Sequence, residues 1–167
     1  MDTIKYMSKH ISAQQEPIGI LVGAVRRRIK QIVAARVSRY GLTPQQFLVL
    51  VAAYEHEGCA LGEITGHVRM DQPTASRVIA ALARRKRVRV EADPGDRRRG
   101  RLFLTAGGKA LARKLHPIAL EIRSAAETGL DASERDALRT LLAKVIANIE
   151  RYDPKGPRES HPGAESA

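Results

Sequence analysis

One stretch, residues 71–105, limits what this chain can fold into more than any other. It opens with DQPTASRVIAALARRKRV, in which apolar residues recur at helical spacing. Two short segments, VRVEA and RLFL, then flank the string DPGDRRRG. Asp, Pro and Gly in close succession are typical of a tight turn, and alternating residues on either side of a turn indicate a hairpin. The sequence therefore predicts a helix followed by a two-stranded wing.

The same stretch holds most of the net positive charge. Eleven Lys or Arg and four acidic residues lie between Arg69 and Arg101, a net charge of +7, whereas the whole chain of 167 residues carries +11. This balance favours a polyanionic partner, with nucleic acid ahead of an anionic membrane or an acidic protein. A coding bias toward Arg and Ala is the alternative, and the clustering argues against it. Because aromatic residues are only 4% of the chain and Trp is absent, a single-strand stacking surface is not expected.

Other features exclude several protein classes. The single cysteine, Cys59, excludes a disulfide framework and suits a reducing compartment. The longest apolar runs, residues 18–25 and 47–54, are far shorter than the ~20 residues that span a bilayer. The N-terminal sequence has no signal-peptide core. We therefore expect a cytoplasmic protein with no membrane partner.

Three helices are predicted before the recognition segment. Residues 17–40 have apolar positions every three or four residues, and Gly41 is the expected left-handed cap of that helix. This helix is too long for one small domain to bury, so we expect part of it to contact a partner chain. Thr43 and Gln46 form the expected capping box of the second helix. A short helix follows at residues 61–68.

Two more helices follow the wing. Thr105 is the expected cap of a helix that runs to about Gly129 and that Pro117 should bend. Asp131 with Glu134 resembles the capping box of the last helix. The last helix carries an apolar stripe made of Leu138, Leu141, Leu142, Val145, Ile146 and Ile149. The width of this stripe indicates burial against another subunit.

These elements predict a mainly α fold with a small two-stranded antiparallel sheet (α+β). The folded domain is expected over residues 17–152. Residues 1–16 are expected to form a flexible arm or a short extra helix. The Pro-, Gly- and polar-rich tail at residues 153–167 is expected to be disordered.

The helix that opens the central stretch has a face suited to a DNA groove. On a helical wheel Pro73, Arg77 and Ala80 point away from the apolar side, and Gln72 and Ser76 flank them. Small residues beside a long donor suit close approach to a major groove. The alternative is an ordinary surface helix whose arginines are solvated.

Three arginines, Arg97, Arg98 and Arg99, occupy the expected tip of the wing, where side chains project furthest. Guanidinium groups there are suited to entering a minor groove or pairing with phosphates. The alternative is a solvated sheet edge.

The order of the elements, together with three local strings, resembles the MarR family of bacterial winged helix-turn-helix regulators. The strings are YGLTPQQFLVL, DQPTASRVIAAL and DPGDRRRGRLFLT. The family's wing signature is Asp-x-Arg, five residues, then Leu-Thr, and Asp96, Arg98, Leu104 and Thr105 match it at the same spacing. The resemblance covers roughly residues 17–152.

The resemblance implies a winged helix-turn-helix with long dimerisation helices at both ends and a DNA-reading part at about residues 43–105. It implies a homodimer on double-stranded DNA, with recognition helices in major grooves and wings in minor grooves of a pseudo-palindrome. The implied DNA contacts are Gln72, Pro73, Thr74, Ser76, Arg77, Arg97, Arg98 and Arg99. Arg97 or Arg99 would probe the minor groove, and Arg98 would pair with Asp96 to brace the wing.

Regulators of this family usually repress, and they release DNA when a small, often phenolic, ligand changes the spacing of the two reading heads. The resemblance therefore implies a repressor with a small-molecule effector, such as an aromatic acid, and no cofactor. His116, Arg36 and Phe47 are the residues considered for the effector site, although a structural role is favoured for each.

Four features depart from the family pattern. Ala60 stands where a capping Thr or Ser is usual. Thr65 and Arg69 occupy the small-residue and turn-glycine positions of the helix-turn-helix, and Lys86 with Arg87 replaces Gly-Leu. The first three features predict a slightly strained or loosened helix-turn-helix, and the last adds charge near the DNA.

Competing sites are less well supported. Cys59 falls at an apolar strand position, which favours a buried, inert thiol over a redox sensor. His56, Glu63 and His67 lack the spacing of a helical metal site and are expected to be exposed polar residues.

Competing functions are also weaker. The sequence has no Gly-rich phosphate loop, nucleophile elbow or paired carboxylates, so an enzyme is not expected. The alternative function is an architectural nucleic-acid binder with no effector, a steep salt dependence and little sequence preference.

Overall fold

The computed structural model describes residues 16–96 and 99–152 of the chain. Its elements are α1 (Ile18–Val37) with a 3-10 turn (Ser38–Tyr40), α2 (Pro44–Glu55), α3 (Leu61–His67), α4 (Gln72–Arg84), β1 (Val88–Ala92), β2 (Gly100–Leu104), α5 (Ala106–Glu127) and α6 (Ala132–Glu150). The predicted fold class, mainly helical with one antiparallel hairpin, is confirmed. Arg97, Arg98, the tail and all of the arm except Glu16 lie outside the described residues.

Helices α2 and α4 begin where local side chains satisfy their first amide groups. At α2 the Oγ1 of Thr43 accepts the amide of Gln46 at 3.2 Å, and the Oε1 of Gln46 accepts the amide of Thr43 at 3.1 Å. At α4 the carboxylate of Asp71 accepts the amide of Thr74 at 2.8 Å. Such caps each stabilise a helix by roughly 1 kcal/mol. Gly41 has a φ of 61° and is left-handed as predicted, but it caps the 3-10 turn, because α1 itself already ends at Val37.

Thr105 connects the hairpin to α5 through its hydroxyl group. The Oγ1 accepts the amide of Gly108 at 3.0 Å and donates to the carbonyl of Lys86 at 2.7 Å. The start of α5 is therefore tied to the segment that follows α4. The helix continues through Pro117 to Glu127.

A buried core around α2 holds the recognition helix and the hairpin in one frame. The side chains of Val49 and Leu50 are fully buried. Around them pack Ile64, Ile79, Leu82, Val88, Leu102, Leu104, Ala112, Leu115 and Ile118. Because these residues come from α3, α4, both strands and α5, burial of one apolar cluster sets the geometry of the whole reading part.

The hairpin is joined to the helices by a third extended segment. In the hairpin Val88 pairs with Leu104, and Ala92 pairs with Gly100. On the other side of β2 the amide of Leu102 donates to the carbonyl of Cys59 at 3.0 Å, and Ala60 forms a bridge with Arg101. The extended conformation predicted for Cys59 is therefore present, and this segment anchors the wing to the start of α3.

Two non-glycine residues adopt the left-handed backbone conformation. Arg69 has a φ of 48°, and Lys86 has a φ of 53°. Both positions are ones where the resembling family has glycine. An L-residue in this conformation costs about 1 kcal/mol or more, so both turns carry strain.

The other departures affect α3. Ala60 supplies no side-chain cap, and the carboxylate of Glu63 accepts its amide at 2.9 Å instead. Thr65 is buried and donates its hydroxyl to the carbonyl of Gly62 at 2.7 Å. The helix thus has half of a capping box, with one of its polar side chains satisfied internally.

Lys86→Gly is expected to raise the free energy of unfolding by roughly 0.5–1 kcal/mol. Relief of the left-handed strain outweighs the extra backbone entropy of glycine in the unfolded chain. Urea denaturation measures the change. The control Arg84→Gly, in regular α4, should lose about 1 kcal/mol. An equal loss in both variants would contradict the strain at Lys86.

The described residues form two compact units, one up to Ser124 and one from Ala125. In the second unit the Asp131 carboxylate accepts the Glu134 amide at 2.9 Å, and the Glu134 carboxylate accepts the Asp131 amide at 2.8 Å. None of the residues of α6, all of them described, is buried within the single chain. Leu141 is 60% exposed and Ile149 is 70% exposed. Burial of the α6 stripe against another subunit therefore stays a prediction.

Within the described part of the chain, no helix combines the length and apolarity needed to cross a bilayer.

Candidate nucleic-acid interface

The predicted contacts on α4 lie on the outer side of its first two turns. Gln72, Pro73, Ser76 and Arg77 are exposed, and Thr74 is half-buried. The opposite side of the helix, with Ala75, Ile79 and Leu82, is buried in the core. The fold therefore presents the predicted residues together on one accessible surface.

Arg77 lies back along its own helix toward the N-terminus. Its Nε donates to the carbonyl of Pro73 at 3.3 Å, and its Nη2 donates to the Oγ1 of Thr74 at 3.4 Å. Both contacts are long for hydrogen bonds to a guanidinium group. The side chain is thus held close to the helix start by bonds that a better acceptor can replace.

Asp71 is the acidic residue of this surface. Hydrogen bonds from the Thr74 amide and hydroxyl lower the pKa of Asp71, and the nearby Arg77 adds to the effect. The carboxylate is therefore ionised at neutral pH and serves the helix start.

Part of the basic cluster after α4 has a structural role. The Nη1 of Arg85 donates to the carbonyl of Gly41 at 2.7 Å, which ties the end of α4 to the junction of α1 and α2. The Nη1 of Arg87 donates to the carbonyl of Gly107 at 3.3 Å. These two arginines were counted from the sequence as charge for DNA, but the structure uses them to hold α4 in place.

The wing contains ion pairs that sequence analysis did not find. The Nε of Arg101 lies 2.6 Å from the Oδ2 of Asp93, and the Nε of Arg99 lies 3.4 Å from the Oδ2 of Asp96. The bracing pair predicted between Asp96 and Arg98 involves a residue outside the described ranges. The only sequence signal for the Asp93–Arg101 pair was that both flank the turn of one hairpin.

Arg89 makes a further set of contacts on the wing. Its Nε lies 2.6 Å from the Oε1 of Glu91, and its Nη1 donates to the carbonyl of Leu104 at 3.2 Å. Its guanidinium group also lies over the ring of Phe103, 4.8 Å from the ring centre. This arginine covers the outer face of the hairpin.

Comparison with known proteins decides the family. The sequence profile of the MarR family matches residues 42–99, which span the helix-turn-helix and most of the wing. The transcriptional repressor NicR of Pseudomonas putida is 32% identical over 135 residues, covering 81% of this chain and 85% of NicR. The chain belongs to the MarR family. It is a DNA-binding transcriptional regulator, and its relatives are regulators rather than enzymes.

Solved structures of MarR-type regulators share the fold. BpsR of Bordetella bronchiseptica, whose DNA binding is regulated by 6-hydroxynicotinic acid, superimposes with a TM-score of 0.65 at 34% identity, covering 78% of this chain and 99% of BpsR. MepR of S. aureus in complex with DNA has a TM-score of 0.69 at 21% identity, covering 80% of this chain and 99% of that chain. The second likeness supports the fold alone.

In this MarR-family chain Cys59 is half-buried rather than buried as predicted, because residues 58–60 run along the open edge of β2. Burial still raises the pKa of the thiol, and the nearby Glu63 adds to the effect. A raised pKa keeps the sulfur protonated, so the thiol has little nucleophilic character.

The histidines considered for a metal site stack on each other. The rings of His56 and His67 lie 4.0 Å apart at an angle of 3°. Both are exposed, as expected. The Glu63 carboxylate accepts a hydrogen bond from the amide of Ala60 at the start of α3.

The residues considered for an effector site have structural partners within the first unit. The Nε2 of His116 lies 3.2 Å from Glu55, and Arg123 binds the same carboxylate through two nitrogen atoms, at 2.7 and 3.0 Å. The hydrogen bond from Arg123 is the largest cause of the lowered pKa of Glu55. Arg36 binds Glu121 at 2.7 Å, and Phe47 is buried in the core.

Proposed function

We propose that this chain is a homodimeric repressor of a pseudo-palindromic double-stranded operator, released by a small aromatic acid. The observation that carries the proposal is the shared exposure of the first two turns of α4 beside a basic hairpin. One core holds both elements, so a helix and a wing approach DNA as one rigid reader. Because the partner is duplex DNA, we assign the protein to the cytoplasm.

Two helices support the proposed homodimer. In α1 the side chains of Ile18, Ile20 and Val25 are exposed, and in α6 those of Leu141 and Ile149 are exposed. Burial of apolar surface is favourable by roughly 25 cal/mol per Å². Packing of these helices against a second copy of the chain would bury their exposed apolar side chains. A two-fold dimer then places two α4 helices against two half-sites.

The proposed roles of the reading residues follow from their positions. Arg77 is suited to donate two hydrogen bonds to a guanine in the major groove, with Gln72, Pro73, Thr74 and Ser76 contacting bases and backbone around it. Arg97 or Arg99 is assigned to the minor groove. The pairing of Asp96 with Arg98 is retained as a proposed brace of the wing tip.

The relatives suggest the chemistry of the effector. BpsR, whose DNA binding is regulated by 6-hydroxynicotinic acid, is matched over nearly its whole length. We infer that a hydroxylated aromatic or pyridine carboxylic acid releases this protein from DNA. Coupling between effector and DNA sites is typically worth 1–3 kcal/mol, about 5- to 150-fold in affinity. Titration of the operator complex with 6-hydroxynicotinic acid and with nicotinic acid tests the role of the hydroxyl group.

Selection of bound duplexes from a random pool tests whether the protein binds a specific operator sequence. We expect an enriched inverted repeat and a footprint confined to it. Uniform binding to random duplexes, with a steep salt dependence, would instead support an architectural DNA-binding protein.

Arg77→Ala is expected to weaken binding to the selected operator by about 10- to 100-fold, because a bidentate base contact is worth roughly 1–3 kcal/mol. Binding to random duplexes should fall only a few-fold. Electrophoretic or fluorescence titrations on both DNAs measure the ratio. Arg26→Ala, which removes the same charge from exposed α1, is the control. Equal losses of operator and random DNA in Arg77→Ala would show a phosphate contact only.

A further inference from the structure

We propose that Asp93 and Arg101 form a positioning pair that sets how the wing tip meets the minor groove. The inference rests on the proposed operator reading and adds a residue pair outside the family's wing signature. Asp93 directly follows β1, and Arg101 lies in β2, so their ion pair joins the two strands near the tip. The Nε to Oδ2 distance is 2.6 Å, and only 15% of the Asp93 side chain is exposed.

Asp93 also organises the turn itself. Its Oδ1 accepts the amide of Gly95 at 2.8 Å. Its own amide donates to the carbonyl of Arg99 at 2.8 Å. Asp93 therefore contacts the turn at Gly95, the backbone at Arg99 and the side chain of Arg101. These contacts fix the backbone on both sides of the arginines at the tip to one residue.

Arg101 connects this point to the helix-turn-helix. Its backbone bridges Ala60 at the start of α3, and its neighbour Leu102 donates to the carbonyl of Cys59. At Gly100 an added Cβ would lie 2.9 Å from the side chain of Leu61. The start of β2, on the side of the turn, is thus packed tightly against the residues that begin α3.

A cleft of about 380 Å³ lies between the wing and the segment that connects α2 to α3, and its lining includes Glu57, Glu63, Asp93, Arg99 and Arg101. Charged side chains from both sides line this cleft, so polar contacts contribute to the direction of the tip. The Asp93–Arg101 pair is a cross-strand contact in the lining of this cleft.

A second ion pair on the same hairpin provides a matched control. Arg89 and Glu91 also lie 2.6 Å apart, but their side chains are 50% and 51% exposed. Both residues belong to β1, so their pair does not join the two strands. Exposed pairs of this kind contribute little to structure.

The experiment compares Asp93→Asn with Glu91→Gln in the full-length protein. Each change removes one carboxylate, so both variants have the same net charge, and Asn retains an acceptor for the Gly95 amide. On the DNA selected by the wild type, Glu91→Gln should bind as the wild type does. Asp93→Asn should bind at least 10-fold more weakly despite its added positive charge.

Footprints separate positioning from general damage. In Asp93→Asn, hydroxyl-radical protection over the flanking minor grooves should be lost. Protection of guanine N7 from methylation in the major grooves should remain. Affinity and footprints equal to those of Glu91→Gln would overturn the inference while leaving the proposed function intact. A wild type that selects no sequence would overturn both.

A double-mutant cycle tests whether the two side chains act as a pair. Arg101→Gln alone should also lose minor-groove protection, and the double variant with Asp93→Asn should bind no more weakly than Arg101→Gln. Fully additive losses would show that the two side chains act separately and would contradict the pairing role. Thermal unfolding of each variant verifies that the folded protein is compared.

Discussion

Gly108→Ala is expected to lower the free energy of unfolding by about 3–5 kcal/mol, a large part of the total for a domain of this size. A Cβ at Gly108 would lie 1.8 Å from the carbonyl oxygen of Arg87. That carbonyl accepts the amide of Thr105 at 3.1 Å and faces its hydroxyl at 3.2 Å. The clash can be relieved only by moving α5 away from the end of α4, which breaks these hydrogen bonds at roughly 1 kcal/mol each.

Two other glycines, Gly107 in α5 and Gly62 in α3, are the controls for this prediction. At Gly107 the nearest atom to an added Cβ is the end of the Arg87 side chain at 3.3 Å, which can move. At Gly62 an added Cβ meets nothing within 4 Å, and Ala in α3 should stabilise by roughly 0.5–1 kcal/mol. Urea denaturation followed by circular dichroism measures all three variants. A Gly108→Ala protein as stable as Gly107→Ala would refute the close approach of α5 to Arg87.

Leu141→Glu is expected to convert the proposed dimer to a monomer and to weaken operator binding by at least 100-fold. Leu141 lies on the apolar stripe of α6 and is exposed in the single chain. If a second copy covers the stripe, the new carboxylate is buried without a partner, which costs several kcal/mol. A monomer engages one half-site only and loses the binding energy of the other.

Thr140→Glu is the matched control, because it adds the same charge one residue away on the opposite side of α6, where it is exposed. Light scattering with size-exclusion chromatography reports the oligomeric state, and circular dichroism reports helix content. Leu141→Glu should retain its helix content, because α6 has no residue buried within its own chain. A stable Leu141→Glu dimer at micromolar concentration would show that the stripe of α6 is not the interface.

The elements that could be predicted are those whose causes lie within a few residues. Thr43 caps α2 because its side chain reaches the amide group three residues ahead. Gly41 ends the 3-10 turn that follows α1 because glycine adopts the left-handed conformation easily. The wing was predictable because alternating strands flank a turn sequence.

The roles of individual arginines were less predictable, because a guanidinium group reaches partners far along the chain. Arg85 contacts Gly41 and Arg87 contacts Gly107, contacts that span 44 and 20 residues. From the sequence these arginines cannot be told apart from ones that are free to bind phosphate. The half-buried state of Cys59 likewise depends on how an irregular segment runs along β2.

The sequence alone determined the order of the elements, the helix caps, the basic hairpin and the resemblance to the MarR family, because each depends on local spacing. Only the tertiary structure decided that α2 forms the centre of the core, that Asp93 pairs with Arg101, and that Gly108 lies against Arg87. These contacts arise when distant segments pack around one apolar cluster, and such packing cannot be predicted from the local spacing of residues.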